Sequence, residues 1–461
     1  RGFNNSFDYI KVQSNGEFIV LDYIGLRTIN SDGNMSGNDV KATFGSDALY
    51  ASDYFDGSDP VTDSNGLIPN FIAPIEIYDG SSTPDKVITP MTVRFSDWVK
   101  IFNLDPYSGS SITVFVPELR VKNNNTGEWT YLIQTSIDNA GVNDVIVISP
   151  STYYETITIN KVGLTVQGPS SVKLNDGVII DAENSGCAIT VTKSGVSIIG
   201  INVINSFEWE DPFNSSAIRV LSDNNLILFN NIEDSYVGIL LETANSNTVE
   251  SNIIDDVDIG ILLTKSDSNS VNSNDILSVE TNDIEIGSLG YSDGSNYNVI
   301  SLNTDIQNIE FQVSDSNYLY DQQVTTIKLE SSERISMYGS TYSYVICDSD
   351  SSLYLKNWMN INVENNNTDA DSADVKVWDG DNTIYSTSYF GGSDSKTVEG
   401  LLSEDIGIIY RVFDGSSTGN DNTTFFKIRV GDWFKTKISE TDETRVDIDF
   451  DVPVFRITNQ D

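Results

Sequence analysis

The feature that most constrains the fold is a repeat of 22 residues in the middle of the chain. Asn225, Asn247 and Asn269 follow one another at this step, and the tetrapeptide GILL at 238–241 returns at 260–263. This period is too short for a pair of helices, and it suits three short strands in each coil. A single coil cannot bury its apolar side chains alone, so successive coils must stack. The repeat therefore predicts a parallel β-helix.

Asparagine recurs at two positions of each coil. A second column, formed by Asn230, Asn252 and Asn274, keeps step with the first. Stacked strands often carry amide ladders, in which each side chain hydrogen-bonds the next layer. We therefore interpret these asparagines as structural and not as ligand-binding residues.

A second repeat joins the two ends of the chain at an offset of 335 residues. The segment DGSST occurs at 79–83 and again at 414–418, and DWVK at 97–100 matches DWFK at 432–435. Alternating runs at 112–116 and 446–450 indicate strands with one buried and one solvated face. The two ends are therefore interpreted as copies of one β-sandwich module.

These patterns predict an all-β protein, in which a right-handed parallel β-helix is flanked by two homologous β-sandwich domains. We expect copy 1 with its linker at 1–136, the β-helix at 137–335 and copy 2 at 336–461. Hydrophobic residues make up 39% of the chain and aromatic residues 10%, so its strong acidity does not indicate disorder.

The first coils carry a family resemblance. The segments that carry it are GVNDVIVI at 141–148, YETITI at 154–159, GLTVQG at 163–168, VIIDA at 178–182 and GVSIIG at 195–200. They resemble pectin-lyase-like β-helices of the carbohydrate-binding and sugar-hydrolase type, which are common in archaeal surface proteins. The resemblance covers roughly residues 137–330 and implies the fold, whereas the family mixes enzymes, binding proteins and inert scaffolds.

Charge and composition limit the possible binding partners and the cellular location of the protein. The formal net charge is −42, which excludes nucleic acid as a natural partner and suits divalent cations. The chain contains no run of 18 apolar residues, so the sequence predicts no membrane-spanning segment. We expect a processed, extracellular or cell-surface glycoprotein, and the six N-x-S/T sequons are Asn4, Asn34, Asn124, Asn214, Asn366 and Asn422. Cys187 and Cys347 are interpreted as free thiols, with a single disulfide as the alternative.

Two acidic loops are candidate calcium sites. Clustered carboxylates on loops are the ligands that hard cations require, although neither loop has EF-hand spacing. A solvated acidic loop is the alternative interpretation. The predicted calcium ligands are Asp53, Asp56, Asp59 and Asp63 on one loop and Asp369, Asp371 and Asp374 on the other.

The chain offers little recognisable catalytic machinery. It has no histidine, which removes the usual general base. The best carboxylates are Asp255, Asp256 and Asp258, with Glu233 and Asp234 one coil earlier. At this step Glu233 and Asp255 should stack about 4.8 Å apart. The basic partners that a lyase needs are limited to Arg219 and Lys265. We therefore expect no catalytic residues and a protein that is not an enzyme.

Three functions remain in competition. The first is a structural subunit of an extracellular filament, sheath or surface layer, which assembles with itself through the terminal modules. Its predicted assembly strand contains Phe7, Tyr9, Ile10 and Val12. The second is an adhesin or carbohydrate-binding protein, for which Trp209, Phe213 and Tyr236 are the candidate aromatic residues. The third is a polysaccharide lyase or hydrolase.

Overall fold

A computed structural model gives the fold of the chain. It describes residues 2–3, 16–79, 83, 85–104, 111–169, 177–207, 211–287, 294–365, 368–369, 372–379, 381–399, 401–402, 406–431, 433–439 and 445–452. The chain forms two compact units, Arg1–Asn139 and Ala140–Asp461. No helix among the described residues is long and apolar enough to cross a membrane.

The first unit consists of short and medium strands and one short helix. These are β1 (Gly2–Phe3), β2 (Glu17–Asn30), β3 (Gly33–Asn34), β4 (Asp39–Phe44), β5 (Asp47–Ala51), β6 (Phe71–Asp79), β7 (Asp85–Lys86), β8 (Thr89–Phe95), β9 (Trp98–Leu104), β10 (Ser111–Phe115), β11 (Val121–Asn123), β12 (Trp129–Thr130) and α1 (Ile133–Asn139).

The strands of the first unit build the predicted β-sandwich. One sheet has the order β1-β2-β6-β7, with β10 also paired to β2, and the other has the order β5-β4-β8-β9. Their inner faces meet in one hydrophobic core, to which Ile24 and Phe71 come from the first sheet and Val40 and Met91 from the second. Apolar side chains at alternate positions of each strand produce this core.

The second unit begins with a long series of short strands. In chain order they are β13 (Val145–Ile148), β14 (Ser151–Tyr154), β15 (Ile157–Ile159), β16 (Thr165–Gln167), β17 (Val178–Asp181), β18 (Ile189–Val191), β19 (Ser197–Ile199), β20 (Ile201–Ile204), β21 (Ser216–Val220), β22 (Leu226–Leu228), β23 (Asn231–Ile232), β24 (Ser235–Glu242), β25 (Thr248–Glu250), β26 (Ile253–Ile254), β27 (Val257–Thr264), β28 (Ser270–Asn272), β29 (Asp275–Ile276), β30 (Val279–Ile286), β31 (Val299–Ser301), β32 (Asn308–Gln312), β33 (Tyr318–Tyr320), β34 (Gln323–Glu330), β35 (Ile335–Tyr338) and β36 (Thr341–Cys347).

These strands form the right-handed parallel β-helix that the repeat predicts. The first sheet runs β13-β16-β19-β22-β25-β28-β31-β33-β35, the second runs β14-β17-β20-β23-β26-β29, and the third runs β15-β18-β21-β24-β27-β30-β32-β34-β36. Inward residues of successive coils stack into fully buried columns, such as Ile227, Val249 and Val271. The core is therefore shared between coils, as in other solenoids.

Both asparagine columns form the expected ladders. The amide oxygen of Asn247 accepts from the backbone N–H of Asn225 at 2.7 Å, and that of Asn269 accepts from Asn247 at 2.8 Å. In the second column, Asn252 accepts from the backbone of Asn230 at 2.9 Å. Because each buried amide satisfies the turn of the preceding coil, no ligand is needed to explain these residues.

The chain ends in a second β-sandwich module. Its strands are β37 (Ser352–Asn365), β38 (Thr368–Asp369), β39 (Asp374–Asp379), β40 (Asn382–Ser386), β41 (Ile406–Asp414), β42 (Asn420–Asp421), β43 (Thr424–Val430), β44 (Trp433–Ser439) and β45 (Arg445–Val452). One sheet contains β37, β41, β42 and β45, and the other has the order β40-β39-β43-β44.

Copy 2 is continuous with the β-helix. The first part of β37 pairs in parallel with β35 from Ile335 to Tyr338, and its second part pairs with β45 inside the sandwich. The predicted boundary at 335/336 falls inside this junction, because β35 and β36 still belong to the β-helix sheets. The boundary at 136/137 falls within α1.

The first residues of copy 1 repeat this junction. Phe3 on β1 pairs in parallel with Leu21 on β2. Adding the offset of 335 residues gives Tyr338 and Lys356, which pair in the same way between β35 and β37. Strand β1 thus stands where the last strand of the first β-helix sheet stands in copy 2.

An aromatic stack marks the junction in copy 2. Tyr338 lies 4.8 Å from Trp358 and 5.0 Å from Tyr320 between ring centroids, with the rings nearly parallel. Gly407 lies against the same ring, and a Cβ atom there would approach Cε1 of Tyr338 to 2.5 Å. The β-sandwich can therefore pack against the aromatic stack only because residue 407 has no side chain.

We predict that Gly407→Ala destabilises the second unit by about 1–3 kcal/mol, because overpacking forces the ring or the strand to move. Thermal unfolding followed by circular dichroism measures the effect. Gly141→Ala is the control, since a Cβ atom there meets nothing closer than 3.5 Å. Equal melting temperatures for both variants would contradict this account of the junction.

Candidate functional site

The strongest candidate site lies on the outer face of the third β-helix sheet. Glu285 on β30 pairs in register with Glu310 on β32, and Glu310 pairs with Lys328 on β34. The residues that flank them in sequence point into the core and are fully buried, for example Ile284 and Ile286. Because side chains alternate along a strand, the three charged residues form one outward column.

Both carboxylates are buried despite their outward position. Glu285 is 4% exposed and Glu310 is 6% exposed. The amide nitrogen of Asn282 donates to Glu285 at 3.1 Å and to Glu310 at 2.9 Å. That of Gln312 donates to Glu310 at 3.0 Å and reaches Glu285 at 3.4 Å. Two amides therefore clamp the two carboxyl groups side by side.

The surroundings shift the pKa values of the two carboxyl groups in opposite directions. Burial raises the pKa of Glu285, and the neighbouring charge of Glu310 raises it further, while the hydrogen bond from Asn282 works against both. Burial would also raise the pKa of Glu310, but hydrogen bonds from Lys328, Asn282 and Gln312 outweigh it and hold this pKa below the usual value. Lys328 forms an ion pair with Glu310.

This arrangement provides one carboxyl group with a raised pKa, suited to act as an acid, and one with a lowered pKa, suited to act as a base or nucleophile. Pairs of carboxyl groups whose environments separate their pKa values commonly divide into an acid and a base or nucleophile. Neighbouring parallel strands lie about 4.8 Å apart, and the amide nitrogen of Asn282 reaches both carboxyl groups, so the two groups are adjacent. Because the pKa of Glu285 is raised and that of Glu310 is lowered, Glu310 is the first of the two to lose its proton as the pH rises.

Asp283 holds the backbone next to this site in place. It is buried, and its carboxylate accepts from the backbone N–H groups of Gln307 at 2.9 Å and Asn308 at 2.6 Å. Burial raises the pKa of Asp283, while these backbone hydrogen bonds work against the increase. It thereby fixes the start of β32, which carries Glu310.

The carboxylates singled out from the sequence lie at a different place, the corner between the second and third sheets. The pairing of β23 with β26 places Glu233 one coil before Asp255, as predicted. Burial raises the pKa of Glu233, and the charge of Asp255 adds to the increase. Arg219 is not their partner, since it pairs with Glu242 at 2.6 Å.

Asp234, Asp256 and Asp258 line a groove of about 330 Å³ at this corner, together with Phe207 and Ser235. We call it the corner groove. Burial raises the pKa of Asp234, and the charge of Asp256 and a hydrogen bond between the two carboxyl groups raise it further.

The first predicted calcium loop makes internal hydrogen bonds. Asp59 accepts from the backbone N–H of Ala51 at 2.7 Å, and Asp394 of copy 2 accepts from Ser386 at 2.5 Å in the same way. Asp63 accepts from Asn65 and Leu67, and these backbone hydrogen bonds lower its pKa.

Asp53 begins a short 3-10 helix, and Asp56 ends it in a left-handed conformation. Within the ranges that the structure describes, no three acidic or cysteine residues converge as a metal site would require. Calcium binding by this loop stays a prediction.

The second acidic loop has one member with a clear structural role. Asp374 is buried and forms ion pairs with Lys396 at 3.0 Å and Arg429 at 3.2 Å. Asp369 belongs to β38, and Asp371 lies outside the described residues. The ion pairs of Asp374 tie strands of the sandwich together and leave that carboxylate committed to protein partners.

The remaining predicted residues divide by exposure. Of the sequons, Asn34, Asn124 and Asn214 are exposed, whereas the amide of Asn422 donates to a backbone carbonyl at 3.0 Å. Both cysteines are free thiols, as expected. Outside the described residues lie Asn4, Asn366, Trp209 and the assembly strand with Phe7, Tyr9, Ile10 and Val12.

Two of the aromatic candidates have packing roles. Phe213 and Tyr236 cover a small hydrophobic cluster on the third sheet, which includes Leu240 and Leu262. The row of aromatic rings that the sequence interpretation missed is the stack of Tyr318, Tyr320, Tyr338 and Trp358. Its rings cover one another's faces, so it serves the junction described above.

The pair Glu285 and Glu310 escaped the sequence interpretation because the repeat changes there. The two residues are 25 positions apart, whereas the preceding coils repeat every 22. A usable signal exists in the local pattern, since IEI at 284–286, IEF at 309–311 and IKL at 327–329 each place a charge between two core residues. Aligning core positions, in place of a fixed step, would have found the column.

Comparisons with known proteins find similarity to solved structures alone. No protein-family model matches the chain, and no curated protein matches it. Pectin methylesterase from Yersinia enterocolitica is similar with a TM-score of 0.29 and 10% identity, over 46% of this chain and 90% of that one. An alanine variant of the catalytic domain of GH87 alpha-1,3-glucanase, in complex with nigerose, is similar with a TM-score of 0.30 and 10% identity, over 77% of this chain and 82% of that one.

These comparisons correct one expectation. The sequence interpretation held that the protein is not an enzyme, yet the solved structures to which the chain is similar include carbohydrate-active enzymes. The expectation is therefore wrong as it stands. No activity is carried over from these structures to this chain, and its function is inferred below from its own residues.

We predict opposite stability effects for the two carboxyl groups. At pH 7, Glu310→Gln should cost about 1–3 kcal/mol, because it removes a charge-assisted hydrogen bond from Lys328. Glu310 has a lowered pKa, so its contribution is present above the unfolded pKa and is lost as the pH falls through the folded pKa.

Glu285 has a raised pKa, so its ionisation weakens the fold as the pH rises toward and through the folded pKa. Glu285→Gln should therefore equal or exceed the wild type in stability at pH 7. Urea unfolding of both variants at pH 7 and at acidic pH measures this. A larger loss at pH 7 for Glu285→Gln than for Glu310→Gln would contradict the assignment.

Proposed function

We propose that this protein is an extracellular polysaccharide hydrolase whose acid and nucleophile are Glu285 and Glu310. One observation carries the proposal: two adjacent, buried carboxyl groups share two amide donors, while their pKa values move apart. A structural ion pair would need only Glu310 and Lys328. Among the described residues, Glu285 forms no ion pair of its own, and a buried carboxyl group without one costs stability, which fits a functional role.

The proposed roles follow from the contacts. Glu285 gives its proton to the glycosidic oxygen as the bond to the anomeric carbon breaks. Glu310, kept ionised by Lys328, attacks or stabilises that carbon, and water completes the hydrolysis while Glu285 recovers the proton. Asn282 and Gln312 hold both carboxyl groups in place. No external oxidant or reductant enters this sequence.

The substrate class follows from charge. With a net charge of −42, the protein repels polyanions such as acidic polysaccharides, and it concentrates neutral or cationic chains by comparison. The exposed sequons at Asn34, Asn124 and Asn214 support an extracellular location, where such polymers occur. We therefore place neutral glycans first among the substrates.

The test compares the full chain with Glu285→Gln and Glu310→Gln on neutral and acidic polysaccharides between about pH 4 and pH 8. Release of reducing ends is the readout. We expect cleavage of a neutral glycan and a loss of about 100-fold or more in either variant, which is the usual weight of acid catalysis. Glu333→Gln, at an exposed position of the β-helix, is the matched control and should retain activity. Failure of the wild type on every glycan would overturn the proposal.

A second function, assembly into a filament, sheath or surface layer, is favoured by copy 1. At the position of the covered Trp358, copy 1 carries Tyr23, which is 44% exposed, and at the position of Gly407 it carries Ile72, which is 40% exposed. Strand β1 beside them pairs with β2 alone among the described strands. Such an apolar surface next to a strand edge suits addition of a strand from another copy.

For this second function we expect polymers of regular repeat when the purified protein is incubated with calcium. Negative-stain electron microscopy and light scattering provide the measurement. The double change of Tyr23→Ser and Ile72→Ser should abolish polymers, whereas Tyr154→Ser, at an exposed position of the β-helix, should not. A protein that stays monomeric with and without calcium would exclude assembly through this surface.

A further inference from the structure

The second β-sandwich module has one sheet face whose charge is opposite in sign to that of the whole chain, which carries −42. Alternate residues of β39 and β43, such as Phe426, point into the core of copy 2. The outward positions between them hold three cations, Lys376, Lys427 and Arg429, and one acidic residue, the buried Asp374. We call the outward side of β39 and β43 the cationic face of copy 2.

Two of these cations stand directly opposite each other. Lys376 on β39 pairs in register with Lys427 on β43. Like charges at directly opposite positions destabilise a sheet. An anion between the two ammonium groups would replace this repulsion with charge-assisted hydrogen bonds. Folding therefore does not explain the pairing, whereas an anionic ligand does.

Aromatic rings accompany the cations of this face. Nζ of Lys376 lies 5.5 Å from the ring centroid of Trp378, which stacks on Phe425 with 5.5 Å between centroids. The guanidinium carbon of Arg429 lies 3.8 Å from the ring centroid of Tyr389, which is 50% exposed. Cations are attracted to the faces of such rings. The face therefore offers positive charge and exposed aromatic surface side by side.

Copy 1 has the same arrangement on the outward side of β4 and β8, which is its own cationic face. The guanidinium carbon of Arg94 lies 3.6 Å from the ring centroid of Tyr54, which is 55% exposed. At the offset of 335 residues these two correspond to Arg429 and Tyr389. An exposed tyrosine on an arginine is thus present in both modules.

A lysine over the neighbouring phenylalanine comes from a different strand in each copy. In copy 1, Nζ of Lys41 on β4 lies 5.9 Å from the ring centroid of Phe55. In copy 2, Nζ of Lys427 on β43 lies 6.0 Å from that of Phe390, and the residue equivalent to Lys427 in copy 1 is Thr92. Two modules that place a lysine over the same ring from different strands favour a role for the arrangement itself.

We infer that the cationic face of each module binds an acidic polysaccharide, whose carboxylates lie against the lysines and whose sugar rings pack on Tyr54 or Tyr389. A uronic acid unit carries an apolar C–H face and a carboxylate together, which matches a ring beside a cation better than the acidic side chains of a second copy do. A face that occurs twice in one chain also suits a ligand that itself repeats. At physiological ionic strength, charges beyond about 8 Å are largely screened, so the cations of the face outweigh distant acidic residues.

Calorimetric titration of the full chain tests the inference with short oligomers of mannuronic, guluronic, galacturonic and glucuronic acid. We expect at least one to bind at two sites, and its uncharged methyl ester to bind about tenfold more weakly or worse. Lys376→Gln with Lys427→Gln should weaken one of the two sites by about tenfold or more, and Lys41→Gln the other. Lys161→Gln with Lys193→Gln removes the same charge from the β-helix and should leave binding unchanged.

A second variant removes an exposed ring without removing charge. Tyr389→Ala should weaken the same site as the double lysine variant, by about tenfold or less, which is the scale of one aromatic contact. Circular dichroism establishes that each variant keeps its fold.

Several results would overturn the inference. These are the absence of binding by every acidic oligomer, equal affinity for the methyl ester, and unchanged binding in the double lysine variant. Self-association without glycan, detected by light scattering and abolished in the double variant, would assign the face to a second copy of the chain. The inference goes beyond the hydrolase proposal and uses none of its residues, so loss of cleavage in Glu285→Gln tests that proposal separately.

Discussion

The constraint on which the rest of this structure depends is the fixed parallel register of stacked coils. Each coil leaves backbone groups and apolar side chains that only the next coil can satisfy. The columns of Asn247 and Asn252 join the turns, and inward isoleucine and valine residues join the core. A one-residue slip would turn the core outward, so the register holds every outward residue at a defined height. This rigidity allows two carboxyl groups on separate strands to remain paired.

The candidate site arises where the repeat loses its regularity. The second sheet ends at β29, while the first and third sheets continue, so the later coils contain fewer strands. The outward column of the third sheet changes there from Leu240 and Leu262 to Glu285, Glu310 and Lys328. The apolar outward residues are covered by the side chains of Phe213 and Tyr236. The charged outward residues instead form hydrogen bonds and ion pairs with neighbours on the sheet. Asn282 and Gln312 provide those partners, and the cost of the buried charges is met by hydrogen bonds.

The sequence contained most of the fold and little of the site. The 22-residue step gave the β-helix and both asparagine ladders, since core and ladder positions repeat with the backbone. The 335-residue offset gave the two sandwiches. Outward residues need not follow the 22-residue step or the 335-residue offset. Acidic positions such as Asp255 were selected from the sequence only because they recur with the repeat. The pair of Glu285 and Glu310 depends on a bulge and a longer loop, whose effect on register cannot be read from spacing.

The two sandwich copies show how one module can acquire two different surfaces. In copy 2, Gly407 leaves room for the ring of Tyr338, and the module closes the end of the β-helix. In copy 1 the corresponding position is Ile72, which is 40% exposed. The residue at the position of Tyr338 is Phe3 on β1, which pairs with β2 in the same register. The same position of the module therefore serves packing on the β-helix in copy 2, whereas in copy 1 it carries the partly exposed apolar residues Tyr23 and Ile72.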